Sequence, residues 1–105
     1  MSTWEPIKPA ELSALVAEQL KRCSGEDAAL FSRISIEPTT VPLQRGEVLE
    51  SVLAVARIGP SLLVYDDVEH GFEVAAPDPD GVLRSIGAGQ FELSHALARI
   101  REGLR

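Results

Sequence analysis

The sequence predicts a two-layer α+β fold: an N-terminal helix, a mostly antiparallel meander sheet of four to six strands, and a C-terminal helix, with both helices on one sheet face. Three observations predict it. Apolar residues recur at helical spacing near both ends, the period falls to two between Leu30 and Ile86, and the connections between strands are too short for parallel crossovers. The 105 residues suit one domain spanning 1–105. With 45% hydrophobic and 25% charged residues, the composition is that of a globular chain.

The first helix is read from Pro9 to about Arg22. Leu12, Leu15, Val16 and Leu20 form a stripe on one side, and Pro9 suits a first turn whose N–H groups have no partner in any case. Glu11 complements the positive end of the dipole, and Lys21 and Arg22 the negative end. Gly25 is expected to close the helix as a left-handed cap. Trp4 is expected to pack on this helix or the core.

Leu30, Ser32, Ile34 and Ile36 alternate with Phe31, Arg33, Ser35 and Glu37, which reads as a half-buried strand. Pro38 and Pro42 confine the next segment to an edge strand or an irregular crossing. Ser51 to Ile58 is apolar on both faces and reads as a central strand. Gly59-Pro60 ends it, and Ser61 to Asp66 returns as its hairpin partner. In a second hairpin Phe72, Val74 and Ala76 alternate with Glu73 and Ala75, Asp78-Pro79-Asp80-Gly81 turns, and Val82 to Ile86 comes back. The last helix runs from about Gln90 to Glu102 on the stripe Leu93, Ala96, Leu97, Ile100 and Leu104, with Arg99, Arg101 and Arg105 at its C-terminal end.

Small Ala54 and Ala56 place their face of the central strand beneath the helices. Leu53, Val55, Leu63 and Tyr65, with Phe31 beside them, then point away from the helices. A face so apolar is expected to be covered, by a partner, a second copy or a folded-over strand, or by a sheet that curls and buries both faces itself.

Charge and motifs narrow the function. Sixteen acids against ten bases give a net charge of −6, a poor match for nucleic acid, whose phosphates call for clustered Lys and Arg. The longest apolar run, Val52 to Ala56, has five residues against the ~20 of a membrane span, and the N-terminal residues do not form a secretory signal. A cytoplasmic location is expected, with Cys23, the single cysteine, suited to a reducing compartment.

From Asp66 to Asp80 there are six acids and no Lys or Arg, and the remaining ten acids and ten bases cancel. The candidate binding surface is therefore Tyr65, Asp66, Asp67, Glu69, His70, Glu73, Asp78 and Asp80. Asp66, Asp67, Glu69 and His70 are also the residue types of a divalent-metal or acid–base site, but they match no known ligand spacing and equally make an exposed turn. Aligning Gly81 with the sixth position of a calcium loop puts Ala76 and Gly87 where acids belong, which rules that loop out. Gly87-Ala88-Gly89 lacks a complete phosphate-binding fingerprint, and adjacent Ser94 and His95 point apart on a helix. A dyad of Cys23 with His95 depends on the fold joining them. No catalytic residue, metal or cofactor is assigned.

The expectation is a non-catalytic acidic protein-interaction module, in the manner of an inhibitor, immunity protein or adaptor, that uses the 65–80 region and a sheet face. Its partner is then a basic protein or a second copy of the chain. The alternatives are a small metal-dependent or acid–base enzyme built on Asp66, Asp67, Glu69 and His70, and a structural subunit of a larger assembly.

Overall fold

A computed structural model describes residues 7–67, 70–84 and 91–103. Its elements are α1 (Pro9–Leu20), α2 (Gly25–Ile34), β1 (Ser35–Arg45), β2 (Val48–Ile58), β3 (Ser61–Asp66), β4 (Gly71–Ala75) and α3 (Leu93–Gly103). The four strands pair antiparallel in chain order, β1-β2-β3-β4, so the sheet is a meander. All three helices pack on the same face, with Leu12 and Val16 of α1, Leu30 and Phe31 of α2, and Leu97 and Ile100 of α3 in one core with Leu63 and Phe72. This is the two-layer α+β arrangement that the sequence predicts.

Several elements form where expected. Pro9 opens α1, and the Lys8 N–H ahead of it donates to Glu11 Oε1 at 3.1 Å. The proline-bearing strand is β1, at the sheet edge, and β2 and β3 make the hairpin across Gly59-Pro60. Gly81 takes a φ of +84°, and its N–H donates to the Asp78 carbonyl at 2.8 Å, closing the turn read from Asp78 to Gly81.

The strand expected from Leu30 is in its first half a helix. Leu30 to Ile34 is the end of α2, and extended chain starts at Ser35. Ser24 caps this helix, its side chain accepting from the Asp27 N–H at 3.1 Å, and Glu26 and Asp27 meet the positive dipole end in the first turn. Asp27, Leu30 and Phe31 are buried, a helical spacing that the alternation from Leu30 to Ile36 conceals. Gly25 accordingly opens α2 and does not cap α1, which ends at Leu20 with Lys21 as its cap.

The two sheet faces lie the other way round from the sequence-based expectation. Leu53, Val55, Leu63, Tyr65 and Phe31 lie in the helix-side core, whereas Ala54 lies on the opposite face with Val41, Val52, Leu62 and Val64. A β-bulge explains the mixed behaviour of the alanines. Ala54 pairs with Val64 and Ala56 with Leu63, so Val55 is an extra residue. Strict alternation breaks there, and Val55 and Ala56 both join the helix-side core.

The second hairpin does not form as expected. After β4 the chain turns at Asp78 to Gly81 and crosses the second face to the far edge. There Leu83 pairs in parallel with Leu43: its N–H donates to the Pro42 carbonyl at 2.9 Å, and its carbonyl accepts from the Gln44 N–H at 2.8 Å. Its side chain is fully buried in one cluster with Val41, Val52 and Val64. This crossing segment covers the second apolar face from within the chain, where a hairpin returning along β4 would leave it bare. Trp4, Ser85, Ile86, Gly87-Ala88-Gly89, Gln90, Leu104 and Arg105 lie outside the described residues. Among the described residues no helix is long and apolar enough to cross a membrane.

Candidate functional site

The acidic run does not converge on one surface. Tyr65 points into the helix-side core, where its ring meets Phe72 edge-on with centroids 5.0 Å apart. Burial, then Asp67 and Asp66, pushes its phenol above the ordinary value. Asp66, the next residue, is 1% exposed, and its carboxylate lies 2.8 Å from Arg45 Nη2, while Arg45 Nε lies 2.9 Å from Glu50. A carboxylate removed from water needs such a partner, and Arg45 reaches it from the end of β1. Asp67 accepts the Ile7 N–H at 2.8 Å. Glu73 is buried on β4, opposite Val64. Exposed His70 takes a left-handed φ of +58° just before β4.

Asp78 and Asp80 both grip Arg84, at 2.8 Å to Nη1 and 2.7 Å to Nη2. The bond from Arg84 holds the Asp80 carboxyl below its ordinary value. Glu69 lies outside the described residues. Among the described residues no three His, Cys, Asp or Glu side chains are grouped to hold a metal ion. Nor does a hydrogen bond among them join Cys23 to His95. The Cys23 thiol donates to the Gln19 carbonyl at 3.5 Å and is pushed up in pKa by burial, then by Asp27 and Glu92, while the His95 ring sits edge-on to Phe91. Local counting of charge finds the acids and misses their partners, because Arg45 and Arg84 lie outside the counted window.

A different site stands on the β4 side of the sheet. The Phe72 N–H donates to the Phe91 carbonyl at 2.8 Å, so Phe72 turns its backbone groups away from β3. Backbone direction alternates along a strand, and Val74 turns its N–H and C=O the same way. Neither group has a partner among the described residues. Val74 is 38% exposed, the least of three exposed large apolar residues among the described residues, the others being Val48 and Leu49. It lines a cleft of about 370 Å³ between β4 and α3, whose other walls include Ile58, Ser61, Glu73, Phe91 and Ile100, with exposed Arg99 beside them. The Arg99 guanidinium lies 5.3 Å from the Phe91 ring centroid, a cation–π contact.

No protein-family model, curated protein or solved structure matches the chain. The edge and the cleft therefore stand on geometry alone. In the sequence Val74 is visible only as a strand residue, since being at an edge is a property of strand order. Phe91, His95 and Arg99 are visible as one helical spacing, of which the arginine reads only as complementing the dipole.

Proposed function

We propose that the chain is a non-catalytic protein-interaction module that meets its partner along the β4 side of the sheet. The observation that carries this reading is the outward-facing edge at Val74, which has no backbone partner on that side among the described residues, next to the cleft with α3. Unpaired strand edges are templates for another chain, and stable folds usually blunt them. Both sheet faces carry buried clusters filled by the chain itself, which favours an edge over a face in this reading.

The acidic region keeps a part in this reading. Asp78 and Asp80 are about half exposed and follow β4 directly, so a basic partner has carboxylates to meet there, already shared with Arg84. A second copy of the chain, joined edge to edge, is the other occupant of the same surface. The enzyme reading has less support, because described members of its cluster are engaged elsewhere: Asp66 by Arg45 and Asp67 by the Ile7 N–H. The cytoplasm is the proposed location, a reducing compartment that suits a lone thiol.

Affinity capture from source-cell lysate at low and moderate salt tests the reading. A protein retained by the wild type and lost by Val74→Arg is the expected result. Retention of nothing at either salt contradicts it.

A further inference from the structure

We propose that Asp80-Gly81 is a latent isoaspartate site that Arg84 and the turn hold closed, and that conversion there unlatches the segment anchored by Leu83. The inference concerns the turn and does not depend on the interaction-module reading.

The sequence singles out one bond. The chain has no Asn, and of its five Asp residues only Asp80 precedes Gly. Asp78 precedes Pro79, which has no N–H to give up, and the other three precede residues with a side chain. A side chain on the following residue hinders attack of its nitrogen on the carboxyl carbon, and glycine has none. Asp80 and Gly81 are both exposed, and apart from its chain neighbours no described atom lies within 4 Å of where a Gly81 Cβ would stand.

The chemistry needs only water. The Gly81 nitrogen attacks Asp80 Cγ, an N–Cγ bond forms, and one carboxyl oxygen leaves as water with the amide proton and a proton from solvent. Water then attacks the main-chain carbonyl carbon of residue 80 in the resulting succinimide, breaks its bond to nitrogen and releases a proton. The chain now runs through Cβ and Cγ, one atom longer, and the former main-chain carbonyl is a free carboxylate. Nothing is oxidised or reduced.

The turn opposes the first step at both reacting groups. The Gly81 N–H donates to the Asp78 carbonyl at 2.8 Å, which keeps the nitrogen engaged. Arg84 donates to both Asp80 oxygens, Oδ1 at 3.1 Å and Oδ2 at 2.7 Å, and the Val82 N–H reaches Oδ1 at 3.1 Å. A carboxylate held by both oxygens is not free to turn its carbon onto the nitrogen, and one kept ionised is a poor electrophile. Arg84 is itself fixed by Asp78 Oδ2 at 2.8 Å.

Position sets the consequence. Leu83 lies two residues beyond Gly81, fully buried, with backbone bonds to Pro42 and Gln44. Its path is set by two bonds of the turn, Gly81 N–H to the Asp78 carbonyl and Asp78 N–H to the Val82 carbonyl at 3.0 Å. An extra backbone atom between residues 80 and 81 puts both out of register.

The test ages the full-length protein and the acetylated, amidated peptide of residues 76–84 side by side at neutral pH, counting isoaspartate at residue 80 by peptide mapping. The wild type is expected to convert at least about tenfold more slowly than the peptide. Arg84→Gln is expected to speed conversion in the folded protein about threefold, the scale of an exposed ion pair. Protein converted at residue 80, separated from aged wild type, is expected to exchange its Gln44 and Leu83 amide hydrogens at least about tenfold faster than unconverted protein. Equal rates for wild type and peptide overturn the proposal, and that comparison needs no variant to fold. A rate unmoved by Arg84→Gln, in a variant whose circular dichroism is that of the wild type, overturns the clamp. Unchanged exchange at Gln44 and Leu83 overturns the unlatching.

Discussion

Along β1, Leu83 supplies a donor to the Pro42 carbonyl and an acceptor to the Gln44 N–H, and Pro38 and Pro42 have no N–H to offer an incoming strand. Along β4, Phe91 occupies the edge at Phe72, and the next outward-facing residue, Val74, has no backbone partner there among the described residues, beside the cleft with α3. One edge is closed two ways, by prolines and by a crossing segment anchored at buried Leu83, while among the described residues the other is closed at one residue. Edges are an aggregation liability, and a chain that blunts one so thoroughly has the means to blunt the other. The proposed contact along β4 rests on this difference.

Breaking the closed edge should have the largest effect. Leu83 is fully buried and anchors the segment that covers the second face, so Leu83→Ala is expected to cost about 3 kcal/mol in denaturant unfolding. A loss below about 1 kcal/mol would show that this segment does not hold the edge. Next comes the buried ion pair that ties the end of β1 to β3. Asp66→Asn leaves Arg45 facing a neutral amide with Glu50 still beside it, and a loss of about 2 kcal/mol is expected from the same unfolding curves.

A smaller effect is expected where Arg84 clamps the turn before Leu83. Asp80 has a lowered pKa in the folded state, so its contribution is present above the ordinary carboxyl value and is lost as pH falls through the lowered one. Carboxyl-detected NMR titration should find the Asp80 midpoint below the ordinary 3.8 in the wild type and nearer to it in Arg84→Gln. An unchanged midpoint would mean that the clamp does not persist in solution. The β4 edge should be the least sensitive of all. Val74→Thr keeps strand propensity at an exposed site, and stability within about 0.5 kcal/mol of wild type is expected by thermal unfolding.

Legibility in the sequence follows the range of the signal. The β2–β3 hairpin, the turn at Gly81 and the edge character of β1 rest on neighbouring residues, and local pattern is enough for them. Leu30 and Ile34 satisfy both a period of two and a spacing of four, so alternation alone takes the first half of that segment for strand. Ser24 and Asp27, an N-cap and its partner, are the deciding signal. The sheet faces come out inverted because one bulge at Val55 and Ala56 shifts the alternation, and nothing in those two residues announces it. For the candidate site, the acid run is legible as composition. Its neutralisation by Arg45 and Arg84 is not, and neither is the edge position of Val74, because both depend on which strands become neighbours.

Amide hydrogen exchange of the free protein, followed residue by residue, tests the contrast between the two edges most directly. Strong protection is expected at Gln44 and Leu83, whose N–H groups bond across the closed edge, and fast exchange at Val74. Protection of Val74 equal to that of Leu83, or rapid exchange at all three, would contradict the contrast.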